Sequence, residues 1–366
     1  MSKINEPAAR RARGTREGFA ARAGVAASAG VVLIALTAGL GTARPTSSAF
    51  AGKNGLIAFQ SFRDGPSQIY LETVPPTPVK RLTALTHCYA LPAWSRDGRW
   101  LAFEYNPSPT GLHSGQSDIY VMNPRRGLAT ARALTRTAGF DGDPSWSPTG
   151  KQIAFESTRS GNSDIWVMNS DGTNPRDLTP KSPGWDGDPA WSPGGNRIAF
   201  TSMRDGNKEI YLMNPDGTGL LNITNNRGDD FDPTWSPDGQ LVAFVSNRDR
   251  NLEIYETNDR FLLKRLTHDP AFDAFPAFSP DGQWITFSTD RGDTGNRDLA
   301  YMSANGDGTG VFELTQAPGW DQAPDWQAGP ASLTTAAPPA RPPANLPSKR
   351  SPSDAKPAFA CLGNSR

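Results

Sequence analysis

Five aspartates recur at one position of a repeated sequence, three residues before a proline, and the equivalent place in a further repeat holds Tyr89. They are Asp141, Asp186, Asp230, Asp273 and Asp321. Carboxylates gathered in one place repel one another unless positive charge or hydrogen-bond donors offset them. Because calcium and magnesium prefer oxygen ligands, the pattern predicts a divalent cation such as calcium, or a basic group of a partner. The alternative is that each aspartate caps its own turn.

Other charged side chains follow the same period. Asp143, Asp188 and Asp232 stand directly before the proline and either add negative charge to the same site or are exposed turn residues. Arginines recur in the polar hairpin of the repeats, at Arg63, Arg159, Arg204, Arg248 and Arg291. They form either an anion-binding rim or structural pairs with carboxylates. Their occurrence in the same hairpin of each repeat favours structural pairs.

Residues for nucleophilic or zinc chemistry are sparse. The histidines are His87, His113 and His268, and no Gly-x-Ser-x-Gly motif accompanies them. No His/Cys spacing suits zinc. We therefore predict no catalytic and no cofactor-binding residues, and expect a protein that is not an enzyme. The alternative is a small-ligand protein, or a metal-dependent hydrolase or lyase, that uses the aspartates.

The elements that position these residues are predicted from the repeated motif Pro-x-Trp-Ser-Pro-x-Gly. Its aromatic anchors lie 43 to 52 residues apart, at Trp94, Trp146, Trp191, Trp235, Phe278 and Trp326. Two alternating strands and a short final strand follow most anchors, so that a unit holds four antiparallel strands. Units of this length with tryptophan and turn signals are typical of propeller blades.

The two ends of the repeat region are complementary parts of one unit. The segment from Leu56 has a second and a third strand but no tryptophan strand, and Pro324-Asp325-Trp326 supplies that strand alone. We therefore predict an all-β, six-bladed β-propeller of four-stranded antiparallel blades over residues 52–327. Joining the C-terminal and N-terminal strands closes the ring. The tryptophan strand is expected to be innermost, which brings the five aspartates to one mouth of the channel.

Several motifs resemble the WD-like repeats of TolB-type propellers over about residues 55–327. They are Trp-Ser-Pro-Asp-Gly, Ile-Ala-Phe, Arg-Asp-Gly-Asn and Met-Asn-x-Asp-Gly-Thr. The resemblance implies a six-bladed binding scaffold that is exported to the cell envelope. TolB proteins also carry an α/β domain before the propeller. Almost nothing stands between Ala51 and Leu56 here, so that this domain is not expected.

Residues 1–51 have the pattern of a targeting segment. A basic start precedes the uncharged apolar residues 23–41, and Ala49-Phe50-Ala51 follows. This order predicts a secretory signal peptide cleaved after Ala51, and a membrane anchor through residues 23–41 is the alternative. In either case we expect an exported protein, located in the periplasm, at the cell surface or outside the cell.

The C-terminal residues 328–366 are rich in Pro, Ala and Ser and lack periodicity, so that they are predicted to be a disordered tail. Cys88 and Cys361 are the cysteines of the chain. In an oxidising compartment a disulfide between them would tie the tail to the propeller near Tyr89. The alternative is two free thiols.

The balance of 37 basic and 37 acidic residues excludes a strongly basic nucleic-acid-binding protein. We expect an exported monomeric propeller that binds an unidentified envelope or extracellular protein. Loops on a rigid scaffold commonly carry such recognition.

Overall fold

The computed structural model describes residues 53–329, apart from residues 75, 77, 109–115, 293–294 and 307–309. It contains six four-stranded antiparallel sheets in a ring, so that the predicted six-bladed propeller is confirmed. Residues 1–51, with the predicted targeting segment, and most of the predicted tail lie outside the described residues. Among the described residues, no helix is long and apolar enough to cross a membrane, and one 3₁₀ turn spans Gly127–Thr130.

The innermost strand of each blade carries the proline–tryptophan motif, and the strands are numbered in chain order. For blades 1 to 6 the innermost strands are β24 (Asp321–Gly329), β4 (Cys88–Trp94), β8 (Asp141–Trp146), β12 (Asp186–Trp191), β16 (Asp230–Trp235) and β20 (Asp273–Phe278). The second strands are β1 (Lys53–Ser61), β5 (Leu101–Asn106), β9 (Gln152–Ser157), β13 (Ile198–Ser202), β17 (Val242–Ser246) and β21 (Trp284–Thr289).

The outer half of each blade is a short hairpin. The third strands are β2 (Gln68–Glu72), β6 (Asp118–Met122), β10 (Asp164–Asn169), β14 (Glu209–Met213), β18 (Glu253–Thr257) and β22 (Asp298–Ser303). The outermost strands have two residues each: β3 (Lys80–Arg81), β7 (Arg132–Ala133), β11 (Arg176–Asp177), β15 (Leu221–Asn222), β19 (Lys264–Arg265) and β23 (Phe312–Glu313). Such short outer strands offer little edge for pairing with another chain.

Blade 1 is assembled from both ends of the repeat region. Its sheet has the order β24-β1-β2-β3, and β1 and β24 pair antiparallel from Lys53–Gly329 to Ser61–Asp321. The predicted closure of the ring is therefore confirmed. β24 continues to Gly329, two residues beyond the predicted end of the propeller. Closure pairs the strands that an open ring would expose.

The apolar core lies between neighbouring blades. Between blades 4 and 5, Leu212 and Ile223 pack with Trp235, Phe244 and Tyr255. Equivalent clusters of buried side chains fill the other five junctions. Because every junction has such a cluster, each blade depends on its two neighbours for burial of its apolar faces.

A backbone hydrogen bond also repeats at all six junctions. The amide three residues before the motif proline donates to the carbonyl of the residue that precedes the third strand of the previous blade. These bonds, of 2.8–3.0 Å, run from Tyr89 to Ser67, Asp141 to Ser117, Asp186 to Ser163, Asp230 to Lys208, Asp273 to Leu252 and Asp321 to Arg297. They fix the start of each innermost strand at the mouth of the channel.

Replacement of Trp326 by alanine should destabilise the closed ring. Trp326 is 3% exposed, packs with Ile57 and Leu299, and donates from Nε1 to Thr286 Oγ1 at 2.9 Å. We expect a loss of about 3–5 kcal/mol in the free energy of unfolding, measured by urea denaturation. Trp100→Ala is the matched control, since Trp100 is 37% exposed, and should cost less than about 1 kcal/mol. Equal losses in both variants would contradict the role of Trp326 in closure.

Candidate functional site

The five predicted aspartates begin their innermost strands and are fully buried. Each carboxylate pairs with the arginine in the hairpin of its own blade. The pairs are Arg63–Asp321 (2.6 Å), Arg159–Asp141 (2.9 Å), Arg204–Asp186 (3.0 Å), Arg248–Asp230 (2.9 Å) and Arg291–Asp273. The interpretation of the hairpin arginines as structural partners of carboxylates is therefore confirmed.

A hydroxyl group and two aromatic rings complete the ion pair, as blade 4 illustrates. Ser202 Oγ donates to Asp186 and accepts from Arg204 Nε at 2.7 Å. The Arg204 Cζ lies 5.4 Å from the ring centroid of Phe200 and 4.6 Å from that of Tyr211. Burial raises the pKa of Asp186, whereas Ser202 and Arg204 oppose that rise. The guanidinium thus supplies the positive charge that a bound cation was expected to supply. A cation site at the five aspartates stays a prediction.

Blade 2 has Tyr89 at the position of the aspartate. The Tyr89 ring lies 5.9 Å from that of Phe103 and 5.5 Å from that of Tyr105, centroid to centroid. An aromatic cluster therefore occupies the place of the ion pair. The neighbouring Cys88 is buried. Its predicted partner Cys361 lies outside the described residues, so that this pairing stays a prediction.

A β-bulge in each innermost strand turns one residue towards the channel. The residue before the motif proline has a φ of 49° to 54°, and all six line a central cavity of about 240 Å³. They are Leu91, Asp143, Asp188, Asp232, Phe275 and Ala323. Bulges commonly redirect a side chain in this way, and aspartate adopts positive φ more readily than leucine or phenylalanine. Asp143, Asp188 and Asp232 were interpreted either as added negative charge at the site or as exposed turn residues. The structure supports the first interpretation, since all three line the channel.

Two glutamates from second strands join these aspartates. Glu104 and Glu156 occupy the same strand position in blades 2 and 3. Carboxylate oxygens of Asp143, Glu156 and Asp188 lie within 4.8 Å of one another, and the charges of Glu104 and Asp232 also act on Asp143. We call Glu104, Asp143, Glu156, Asp188 and Asp232 the acidic channel cluster.

Burial and repulsion make this cluster hold protons or attract positive charge. Burial raises the pKa of Glu104 to about 7 and, together with the charge of Asp188, raises the pKa of Glu156 to about 8. Burial followed by the Asp188 charge also raises the pKa of Asp143 and Asp232 well above the usual value. Ser117 Oγ donates to Glu104 Oε1 at 2.7 Å, which fixes that carboxyl group.

Lys208 supplies positive charge beside the cluster. Its Nζ lies 4.8 Å from the ring centroid of Trp185 and 5.1 Å from that of Phe231, in cation–π geometry. Its charge lowers the pKa of Asp188 and Asp232, in opposition to burial. One lysine against five carboxyl groups leaves the cluster with capacity for a further cation.

The cluster has the ligand chemistry of a calcium or magnesium site. Asp143, Glu156 and Asp188 can each offer one oxygen to the same ion, and Asp232 Oδ2 is buried with no hydrogen-bond partner among the described residues. A lysine or arginine side chain of a partner would satisfy the same oxygens. The geometry therefore suits binding of positive charge.

The site residues predicted from the sequence did not include Glu104, Glu156 or Lys208. A signal for the glutamates was present, because each carries a charge directly after three apolar residues of its strand. Aligned repeats have Gln60, Thr201, Val245 and Ser288 at that position. Charge at one position in only some of the repeats is a sign of function, since a structural requirement would recur in all of them.

Comparisons with known proteins agree with the geometry. The family model of the TolB beta propeller domain, PD40, matches residues 46–182 and 172–260. The Tol-Pal system protein TolB of Desulfosudis oleivorans is 30% identical over 125 residues, which cover 34% of this chain and 26% of that protein. Crystallised TolB from Acinetobacter baumannii has a TM-score of 0.64 and 23% identity, covering 74% of this chain and 66% of that one. Putative TolB from Agrobacterium tumefaciens has a TM-score of 0.56 and 25% identity, covering 74% and 91%.

The fold and the site together define the class of protein, which is a closed six-bladed propeller with a carboxylate-lined channel. Because the family match covers more than half of the chain, the chain belongs to the TolB beta propeller domain family. The matched segment spans about a quarter of the length of the curated TolB relatives.

Glu104→Gln should flatten the dependence of stability on pH. The pKa of Glu104 is about 7 in the folded chain against 4.5 for the ordinary group. Between these values the native state holds a proton that the unfolded chain has lost. The contribution of this proton to the free energy of unfolding is therefore complete below about pH 4.5. It is lost as the pH rises through 7, and the free energy of unfolding falls by about 1.4 kcal/mol per pH unit between the two pKa values.

Urea unfolding from pH 4 to 8 in the presence of a chelator measures this slope. Glutamine retains the oxygen that accepts from Ser117, so that Glu104→Gln should be more stable than the wild type at pH 8. Asp259→Asn, in an exposed turn, is the control and should keep the wild-type slope. An unchanged slope in Glu104→Gln would show that Glu104 does not titrate in this window.

Proposed function

We propose that this protein is an exported, non-enzymatic scaffold that binds another envelope or extracellular protein through its channel. The observation that carries the proposal is the acidic channel cluster, in which five carboxyl groups face one lysine. Membership of the TolB beta propeller family supports it, and curated relatives bear the name Tol-Pal system protein. The basic and apolar residues 1–51 support export to the periplasm, the cell surface or the medium.

The chemistry of the cluster specifies what the partner presents. A buried carboxylate without a counterion is costly, and a lysine or arginine removes that cost on binding. Asp143, Asp188 and Asp232 come from three consecutive blades, so that a segment in the channel can meet several of them at once. The partner is therefore a protein segment with basic side chains.

A divalent cation such as calcium is the second proposed occupant of the channel. The oxygens of Asp143, Glu156 and Asp188 favour it, because they lie within 4.8 Å of one another. The same grouping and the cavity of about 240 Å³ support the alternative of a small-ligand protein or a metal-dependent hydrolase or lyase. Metal binding is thus the property on which the hydrolase or lyase alternative depends.

The partner proposal predicts that capture depends on the bulge aspartates. The full chain, tagged and crosslinked in its own host, should enrich one protein from the envelope or medium. A variant with Asp143, Asp188 and Asp232 changed to Asn should enrich it at least about tenfold less, because each lost charged contact is worth about 1.5–3 kcal/mol. Quantitative mass spectrometry of the captured proteins is the measurement.

The matched control loses the same charge outside the channel. It carries Asn in place of Asp171, Asp216 and Asp259, which lie in exposed turns of the outer hairpins. Control and wild type should capture alike. Loss in the control with retention in the channel variant would move the interface to the outer turns, and circular dichroism checks that both variants fold.

Calcium should raise the melting temperature of the full chain, and a chelator should reverse the rise. Binding at a hundredfold excess over Kd adds about 2.7 kcal/mol to native stability, which is several degrees for a domain of this size. Asp188→Asn tests the acidic channel cluster, and Asp186→Asn, two residues away, tests the ring of five aspartates. The readout is the calcium-induced shift, so that a lower starting melting temperature does not confuse the comparison. No shift in the wild type would contradict a calcium site.

A further inference from the structure

Arg297 lies at the junction of blades 6 and 1, directly before β22. Its guanidinium is held between two rings, since Cζ lies 3.7 Å from the ring centroid of Phe272 and 4.1 Å from that of Trp320. Both aromatic residues directly precede innermost strands, and the Arg297 carbonyl accepts from the amide of Asp321 at 2.8 Å. The planar group is therefore held by aromatic rings beside the starts of two innermost strands, which places it at the mouth of the channel.

The guanidinium has no acceptor within the described part of the chain. Arg297 Nε is buried without a hydrogen-bond partner, and no ion pair involves this side chain. Every hairpin arginine, by contrast, pairs with a buried aspartate. Burial lowers the pKa of Arg297, and the charge of Asp290 opposes that effect. A guanidinium with a buried and unused Nε–H donor is suited to an oxyanion.

The surroundings favour a carboxylate over a phosphate. Arg297 offers one positive charge and Asp290 adds negative charge nearby, so that a monoanion is favoured over a dianion. Further along the same two innermost strands, Phe275 and Ala323 line the central cavity. A group next to the bound carboxylate would therefore meet apolar surface.

We propose that Arg297 is a carboxylate-binding site at the channel mouth, with Phe272 and Trp320 as its walls and an apolar peptide carboxylate as its ligand. The acidic channel cluster belongs to blades 2 to 5, whereas this site belongs to blades 6 and 1. The site stands on different residues from those that carry the proposed function, and either can fail alone. A C-terminal carboxylate and an acidic side chain share the chemistry that the site recognises.

Nuclear magnetic resonance of the full chain with ¹⁵N-labelled arginine tests the site directly. The Nε–H signal of Arg297 is assigned by its absence in Arg297→Lys. Three probes are titrated: acetyl-Gly-Leu with a free C-terminus, its C-terminal amide, and acetyl-Glu-Leu-amide, which carries only a side-chain carboxylate. We expect saturable movement of this signal with the free acid and none with the neutral amide. The third probe identifies which source of carboxylate is preferred.

The variant and the anion control decide the remaining outcomes. Arg297→Lys keeps the charge but loses the planar fork, and should bind the free acid at least tenfold more weakly by calorimetry. Arg99→Lys changes an arginine with 78% of its side chain exposed and should bind as the wild type does. Equal response to acid and amide, or no response to any peptide, would show that Arg297 only holds the two rings. The assignment of a carboxylate ligand would be overturned if inorganic phosphate saturated the Arg297 site at lower concentrations than the peptides require.

Discussion

The pair between a buried aspartate and the arginine of its own hairpin holds the start of the innermost strand in five of the six blades. In these blades the aspartate is the first residue of the innermost strand. Its backbone amide donates a hydrogen bond to the previous blade, and its carboxylate forms an ion pair with the arginine. In these five blades the strand is thereby fixed two residues before the bulge, and the bulged residue lines the channel. Removal of the arginine alone would leave a fully buried charge without a counterion, which typically costs about 3–5 kcal/mol.

Blade 2 shows that the backbone arrangement of a blade does not require the ion pair. It has Tyr89 in place of the aspartate and packs that ring against Phe103 and Tyr105. The junction bond nevertheless remains, since the Tyr89 amide donates to Ser67 at 2.9 Å, and Leu91 still has a φ of 50°. The backbone geometry therefore tolerates either an ion pair or an aromatic cluster at this position. What each blade must retain is the amide bond and the bulge.

Much of the fold follows from the sequence, because each blade repeats the same local rules. The proline–tryptophan motif predicted the innermost strands, and the incomplete end repeats predicted the pairing of β24 with β1. The channel was harder to predict, since a bulge changes which residue of a strand faces inward. Asp141 and its equivalents recur most strictly, yet their carboxylates pair with arginine. Asp143, two residues later, faces the channel, and only the register at the bulge distinguishes the two.

The channel differs from the blades that build it, in that its residues do not follow the sixfold repeat. At the bulge position three consecutive blades carry aspartate, whereas the others carry Leu91, Phe275 and Ala323. The residues before the third strands vary in the same way, with Lys208 near the aspartates and Arg297 at the apolar side. Structural requirements act equally on every blade and therefore produce repeated residues. The departures from the repeat at these positions gather around one cavity, which supports the binding role proposed for the channel.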